Sequence, residues 1–125
     1  GGVNKVNLNN GEKINLVNYL NDKLFGECIY YYDNGQVAEK YNYINDSKEG
    51  EVEIFYQSGI LNMKSSYSKN QLNGFASYYY DDSGILESFG RYNMGIKDSI
   101  WIFYDELGNE LERINYMQSD SLINK

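Results

Sequence analysis

Short runs in which aromatic or β-branched side chains alternate with polar ones recur along this chain as "ECIYYYD", "EVEIFYQ", "FASYYYDD" and "SIWIFYD". Alternation of this length predicts half-buried strands. The "DNG", "QSG", "DSG" and "ELG" that follow supply a glycine at the positive φ that tight hairpin turns need. The runs are short and carry no sustained helical periodicity, so helix is not expected. The pattern predicts an all-β chain, an antiparallel meander of about nine or ten strands.

The glycines set a period. Gly26, Gly35, Gly50, Gly59, Gly74 and Gly84 alternate at gaps of 9 and 15 residues, with one gap of 10, and Ser99 stands where the next is due before Gly108. The chain divides into units over 26–49, 50–73, 74–98 and 99–125, preceded by a partial unit over 6–25, all within one repeat domain covering 1–125. A position that played no part in finding this frame supports it. Eight residues after each inner glycine stands a tyrosine: Tyr19, Tyr43, Tyr67, Tyr92 and Tyr116. A fixed period of this size is the mark of stacked structural repeats.

With a two-residue turn closing each hairpin, Gly26 lies across from Tyr43, Gly50 from Tyr67, Gly74 from Tyr92 and Ser99 from Tyr116. A ring can then lie over a glycine that has no side chain of its own. That register gathers Cys28, Val52, Ala76 and Trp101, then Tyr30, Ile54, Tyr78 and Phe103, on the face expected to be buried, with Val37, Leu61 and Leu86 opposite them. The other face carries a column of Tyr31, Phe55, Tyr79 and Tyr104 among Glu27, Glu51, Lys40, Lys64, Arg91 and Arg113. A slip of one residue would exchange the two faces.

The run G-x-W-x-x-Y, a turn glycine, an alternating strand ending in Tyr and a second turn resembles the MORN repeat (membrane occupation and recognition nexus), most closely the bacterial variant in YwqK-type antitoxin proteins. Trp101 and Tyr104 stand at the family's aromatic positions, while Cys28, Val52 and Ala76 replace the tryptophan elsewhere and Ser99 replaces a leading glycine. The resemblance covers roughly residues 6 to 117. It implies a sheet of stacked hairpins used for protein or lipid contacts, and its antitoxin members imply a protein partner. It carries over no catalytic residues.

Composition narrows the functional classes. Eleven basic against 18 acidic residues give a net charge of -7, spread as -4 over residues 1–62 and -3 over 63–125. Such a surface repels nucleic acid and anionic membranes, since both need clustered Lys and Arg. The chain has no histidine and one cysteine, which removes the usual nucleophile–base pairs and the commonest metal ligand. Cys28, inside a strand run, is expected to be a buried structural thiol. The Asp, Asn and Ser oxygens of the turns are too few for calcium, and no phosphate loop or dinucleotide fingerprint is present. No cofactor and no metal are expected. No apolar run is long enough to span a bilayer, which leaves a soluble chain, either cytoplasmic or exported after removal of an N-terminal segment.

The expected function is therefore a non-enzymatic scaffold for protein–protein interaction. The candidate contact residues are Tyr31, Phe55, Tyr79 and Tyr104, with Trp101 grouped beside them for its place in the repeat signature. Tyrosine offers large contact area at low entropic cost. Asp105, Glu106, Glu110 and Glu112 form a candidate acidic patch for a basic partner, although charges at such a turn usually serve only to stay hydrated and blunt an edge. The alternative is a cell-envelope glycan-binding module whose rings stack on sugars. Catalysis by Asp and Glu alone is the weakest of the three readings. A sheet of one layer also leaves a face to cover, by coiling or by dimerisation through a face or edge.

Overall fold

Alternating aromatic and polar residues form one antiparallel sheet. The computed structural model describes the backbone of residues 2–9 and 13–116, and side chains from Val17 onward. Its strands are β1 (Gly2–Asn9), β2 (Lys13–Leu20), β3 (Lys23–Leu24), β4 (Gly26–Tyr31), β5 (Val37–Ile44), β6 (Ser47–Lys48), β7 (Gly50–Phe55), β8 (Leu61–Ser68), β9 (Gln71–Leu72), β10 (Gly74–Tyr79), β11 (Leu86–Asn93), β12 (Ile96–Tyr104) and β13 (Glu110–Asn115). Ten of them follow one another across the sheet in chain order, apart from the two-residue β3, β6 and β9, which pair back onto β2, β5 and β8. No helix occurs among the described residues. The turn of the leading partial unit, around Gly11, lies outside them.

Two kinds of turn alternate. The second turn of each unit places two consecutive residues at positive φ: Asn21–Asp22, Asn45–Asp46, Lys69–Asn70 and Met94–Gly95. This is the type I′ geometry whose twist matches a right-handed hairpin. Asn, Asp and Gly suit it, while Lys69 and Met94 hold it against their own preference. After the turn, Gly26, Gly50 and Gly74 stand at φ between 84 and 110 where the chain bends into its next long strand. Ser99 takes the same place at φ 62 without interrupting β12.

The first turns differ from the two-residue loops expected. Tyr32 N–H donates to Gln36 O at 2.8 Å and Gly35 N–H to Tyr32 O at 2.9 Å, leaving a three-residue loop with glycine at positive φ. Tyr56–Ile60 and Asp105–Asn109 close alike, and Tyr80–Ile85 holds one residue more. The expected register nonetheless holds: Gly26 pairs Tyr43, Gly50 pairs Tyr67, Gly74 pairs Tyr92, and Tyr116 N–H reaches Ser99 O at 2.9 Å. A β-bulge reconciles the two by leaving Ala38, Asn62, Glu87 and Leu111 without partners. Beyond the bulge the pairing shifts, so Val37, Leu61 and Leu86 oppose Tyr31, Phe55 and Tyr79 and not the Tyr30 row.

The core lies where the register put it. Cys28, Val52, Ala76 and Trp101 are 0, 1, 1 and 1% exposed, although no second layer of structure covers them among the described residues. Aromatic rings from the same sheet pack at Cys28 and at Trp101. Around Cys28 pack Val17, Tyr19, Leu24, Tyr30, Tyr41 and Tyr43. Tyr41 stands with its ring centroid 6.1 Å from those of Tyr30, Tyr43 and Tyr67. At the other end, the Trp101 indole lies across Gly90, where an added Cβ would come within 2.1 Å of it, and its Nε1–H donates to Arg91 O at 3.0 Å.

Gly90 is therefore required for close approach and not for its φ. Gly90→Ala should cost about 2 to 3 kcal/mol in denaturant unfolding, with a red-shifted Trp101 emission, because the indole must leave its bed. Unchanged stability and emission would contradict this packing.

Candidate functional site

The column residues sit at equivalent points of β4, β7, β10 and β12, and all four, Tyr31, Phe55, Tyr79 and Tyr104, are half-buried. With Val37, Leu61 and Leu86 across from the first three, they make an apolar row that crosses the sheet and ends at Glu110, opposite Tyr104. A hydrogen-bond ladder anchors it. The Tyr32 hydroxyl donates to Phe55 O, the Tyr56 hydroxyl to Tyr79 O at 2.6 Å and the Tyr80 hydroxyl to Tyr104 O at 2.6 Å. The fourth unit has Asp105 at that position, and it turns back on its own loop.

Trp101 does not belong with these contact residues. At 1% exposure it fills the core, so its place in the repeat signature reflects packing over Gly90. The acidic patch also divides. Asp105 accepts from the N–H groups of Leu107 and Asn109, both at 2.9 Å, and its backbone partners hold its carboxyl below the usual range. Glu110 is clasped by Arg113 at 2.7 and 3.0 Å, which lowers it as well. Glu106 and Glu112 are exposed. Among the described residues no three Cys, Asp or Glu side chains converge to hold a metal ion. Burial pushes the Cys28 thiol up, and the Glu27 charge adds to the rise, opposite to what a nucleophile needs.

A surface that the sequence reading missed lies on the column's side of the sheet in the third and fourth units. Phe75, 64% exposed, stacks on Phe89 with centroids 5.5 Å apart and planes within 4°. Phe89 pairs Ile102 on the next strand, and Ile100 is 48% exposed. In the first two units the residue after the leading glycine is Glu27 or Glu51; in the last two it is Phe75 or Ile100. That change was the available signal, and it lay in the differences between units. Three cations of this face are engaged: Lys40 with Glu53 at 3.7 Å, Arg91 with Asp98 at 2.9 Å, and Arg113 as above.

The core side opens into a groove of about 510 Å³ between the third and fourth units, walled by Tyr78, Tyr92, Trp101 and Phe103. It exists because Ser88, which pairs Tyr78 on one side and Phe103 on the other, is small. The equivalent residue one unit earlier is Met63, 8% exposed, which fills that space. The Tyr78 and Tyr92 hydroxyls bond at 2.8 Å. Two ammonium groups lie over this side of the sheet: Lys48 Nζ is 4.0 Å from the Tyr41 ring centroid, and Lys97 Nζ is 4.9 Å from that of Trp101.

No protein-family model matches the chain, and no curated protein matches it.

Burial raises the phenols of Tyr41, Tyr43 and Tyr78 well above their ordinary range, helped by Glu39 at Tyr41, by Tyr30 at Tyr43 and by the Tyr92 hydroxyl at Tyr78. The unfolded chain releases these protons near pH 10, roughly the ordinary tyrosine value, while the folded chain holds them. The stability these rings supply is therefore whole below about pH 10 and falls as pH rises above it. Denaturation midpoints should be level from about pH 7 to 8, begin to fall at about pH 9 as the unfolded Cys28 thiol ionises, and drop further by about pH 11; a level midpoint to about pH 11 would contradict the ring burial.

Proposed function

We propose that the chain is a non-enzymatic repeat scaffold that binds another protein through the outer face of its third and fourth units. The observation that carries this reading is the exposed Phe75–Phe89 stack with Ile100 and Ile102 beside it. A contiguous apolar patch held on a rigid sheet is the usual mark of a contact surface. Tyr79 and Tyr104 lie at its margin in the apolar row, whereas Tyr31 and Phe55 belong to the more charged half of the face. The net charge of -7 favours a basic partner by steering its approach. The resemblance to MORN repeats of the YwqK type points the same way. Each hairpin holds the next in register and leaves its outward residues to vary.

A second reading, a glycan-binding module, is favoured by the aromatic groove, whose rings and hydroxyls are of the kind that stack on and bond to sugars. The two use opposite faces and separate cleanly. Affinity capture from the source organism with wild-type chain and with Phe75→Ser, whose exposed ring can be lost without unfolding the sheet, should yield a protein bound by the former and lost by the latter. Equal capture by both would overturn the outer-face assignment, and retention on a glycan array by both would favour the groove.

A further inference from the structure

We propose that the groove between the third and fourth units binds the ammonium or guanidinium group of a basic peptide segment. The proposal rests on the protein-scaffold reading and adds a second contact on the opposite face. Aromatic walls attract a cation through their electron-rich faces, most strongly where water is partly excluded. This sheet already uses that attraction internally, since Lys97 Nζ lies 4.9 Å from the Trp101 ring centroid and 5.7 Å from that of Phe103. Lys48 does the same over Tyr41 and Tyr67, at 4.0 and 5.3 Å. The equivalent residues of the leading partial unit and of the second full unit are Leu24 and Leu72, so an ammonium over the rings is a choice of particular units.

What distinguishes the groove is its pair of carboxylates. Glu87, the bulge residue of its unit, and Glu112, opposite Phe103, both line it. Neither makes an ion pair among the described residues. This contrasts with Glu53, Asp98 and Glu110, each of which has its own cation. The field around this edge is negative. Besides partial burial, the charges of Glu87, Glu106 and Asp105 hold the Tyr80 phenol up, and those of Glu87 and Asp81 do so at Tyr56. The groove's own cation, Lys97, offsets one of the two carboxylates, so a net negative charge is left to attract an incoming cation. A Lys or Arg side chain fits this site, its stem along the rings and its charge between the acids.

The chain has one tryptophan, and it walls the groove, so its emission reports on this site alone. Titrating the full chain with end-blocked pentalysine should give a saturable change in Trp101 emission, with pentaserine giving none. Glu87→Gln with Glu112→Gln should weaken this at least about tenfold, since both countercharges go. Glu27→Gln with Glu51→Gln, which removes equal charge from exposed sites on the other face, should leave it within about twofold. Lys97→Met, which removes the resident cation, should tighten it. Absence of saturation, or equal weakening by the two double variants, would overturn the proposal. Phe75→Ser should leave the titration unchanged, so a failure here is distinct from a failure of the outer-face reading.

Discussion

Among the described residues the sheet has no second layer, so one of its faces is buried by its own side chains, and everything else in the structure rests on how that is done. At the centre of the first full unit the small Cys28 lies beneath tyrosine rings that arrive from neighbouring strands, and the equivalent Val52 and Ala76 are as fully buried. A ring buries roughly 150 to 250 Å² and still offers a hydroxyl to water or to a neighbour, so a roof of tyrosines is apolar below and polar above. That explains a chain with 14 tyrosines and only 5 phenylalanines: the roof is also the surface. At Trp101 the arrangement is inverted. The large residue belongs to the central position, and the neighbouring unit offers Gly90 as its bed.

Contacts between successive units are equally regular. The Tyr32, Tyr56 and Tyr80 hydroxyls each reach a main-chain carbonyl about one period further on, along the loop edge. On the other edge, Asp46 accepts from Leu24 N–H at 2.7 Å and Asn70 from Lys48 N–H at 2.8 Å, each reaching one unit back. Both edges are thus tied by groups that a single hairpin would leave to solvent, which makes stability a sum of neighbour interfaces. Because the ties use conserved geometry at fixed positions, the remaining positions are free to diverge. They have done so between the first two units and the last two: Glu27, Glu51, Lys40 and Lys64 in the former, Phe75, Phe89 and Ile100 in the latter.

Much of this was legible in the residue pattern. The period, the glycine–tyrosine pairs and the buried identity of Cys28, Val52, Ala76 and Trp101 follow from spacing and alternation alone. The loop lengths did not. A three-residue loop with a bulge at Ala38 returns the strand to the register that a two-residue loop would give, so the central pairs carry no trace of the difference. Only Val37, Leu61 and Leu86, between loop and bulge, change sides. The candidate site was less legible for a related reason. A search for what repeats finds the column of Tyr31, Phe55, Tyr79 and Tyr104, while the Phe75–Phe89 patch and the Ser88 groove arise where one unit departs from the others. Spacing also could not reveal that Asp105 and Glu110 are occupied by their own loop and by Arg113.

Whether the sheet's own rings cover its core without help from a second copy can be read most directly from the reactivity of Cys28 toward an aromatic disulfide reagent across protein concentration. Its side chain is 0% exposed in the single chain. The native thiol should react far more slowly than in denaturant, at a rate independent of concentration down to dilutions where the chain is monomeric. A native thiol that reacts like the unfolded one when dilute, and gains protection only as concentration rises, would show instead that another molecule covers this face.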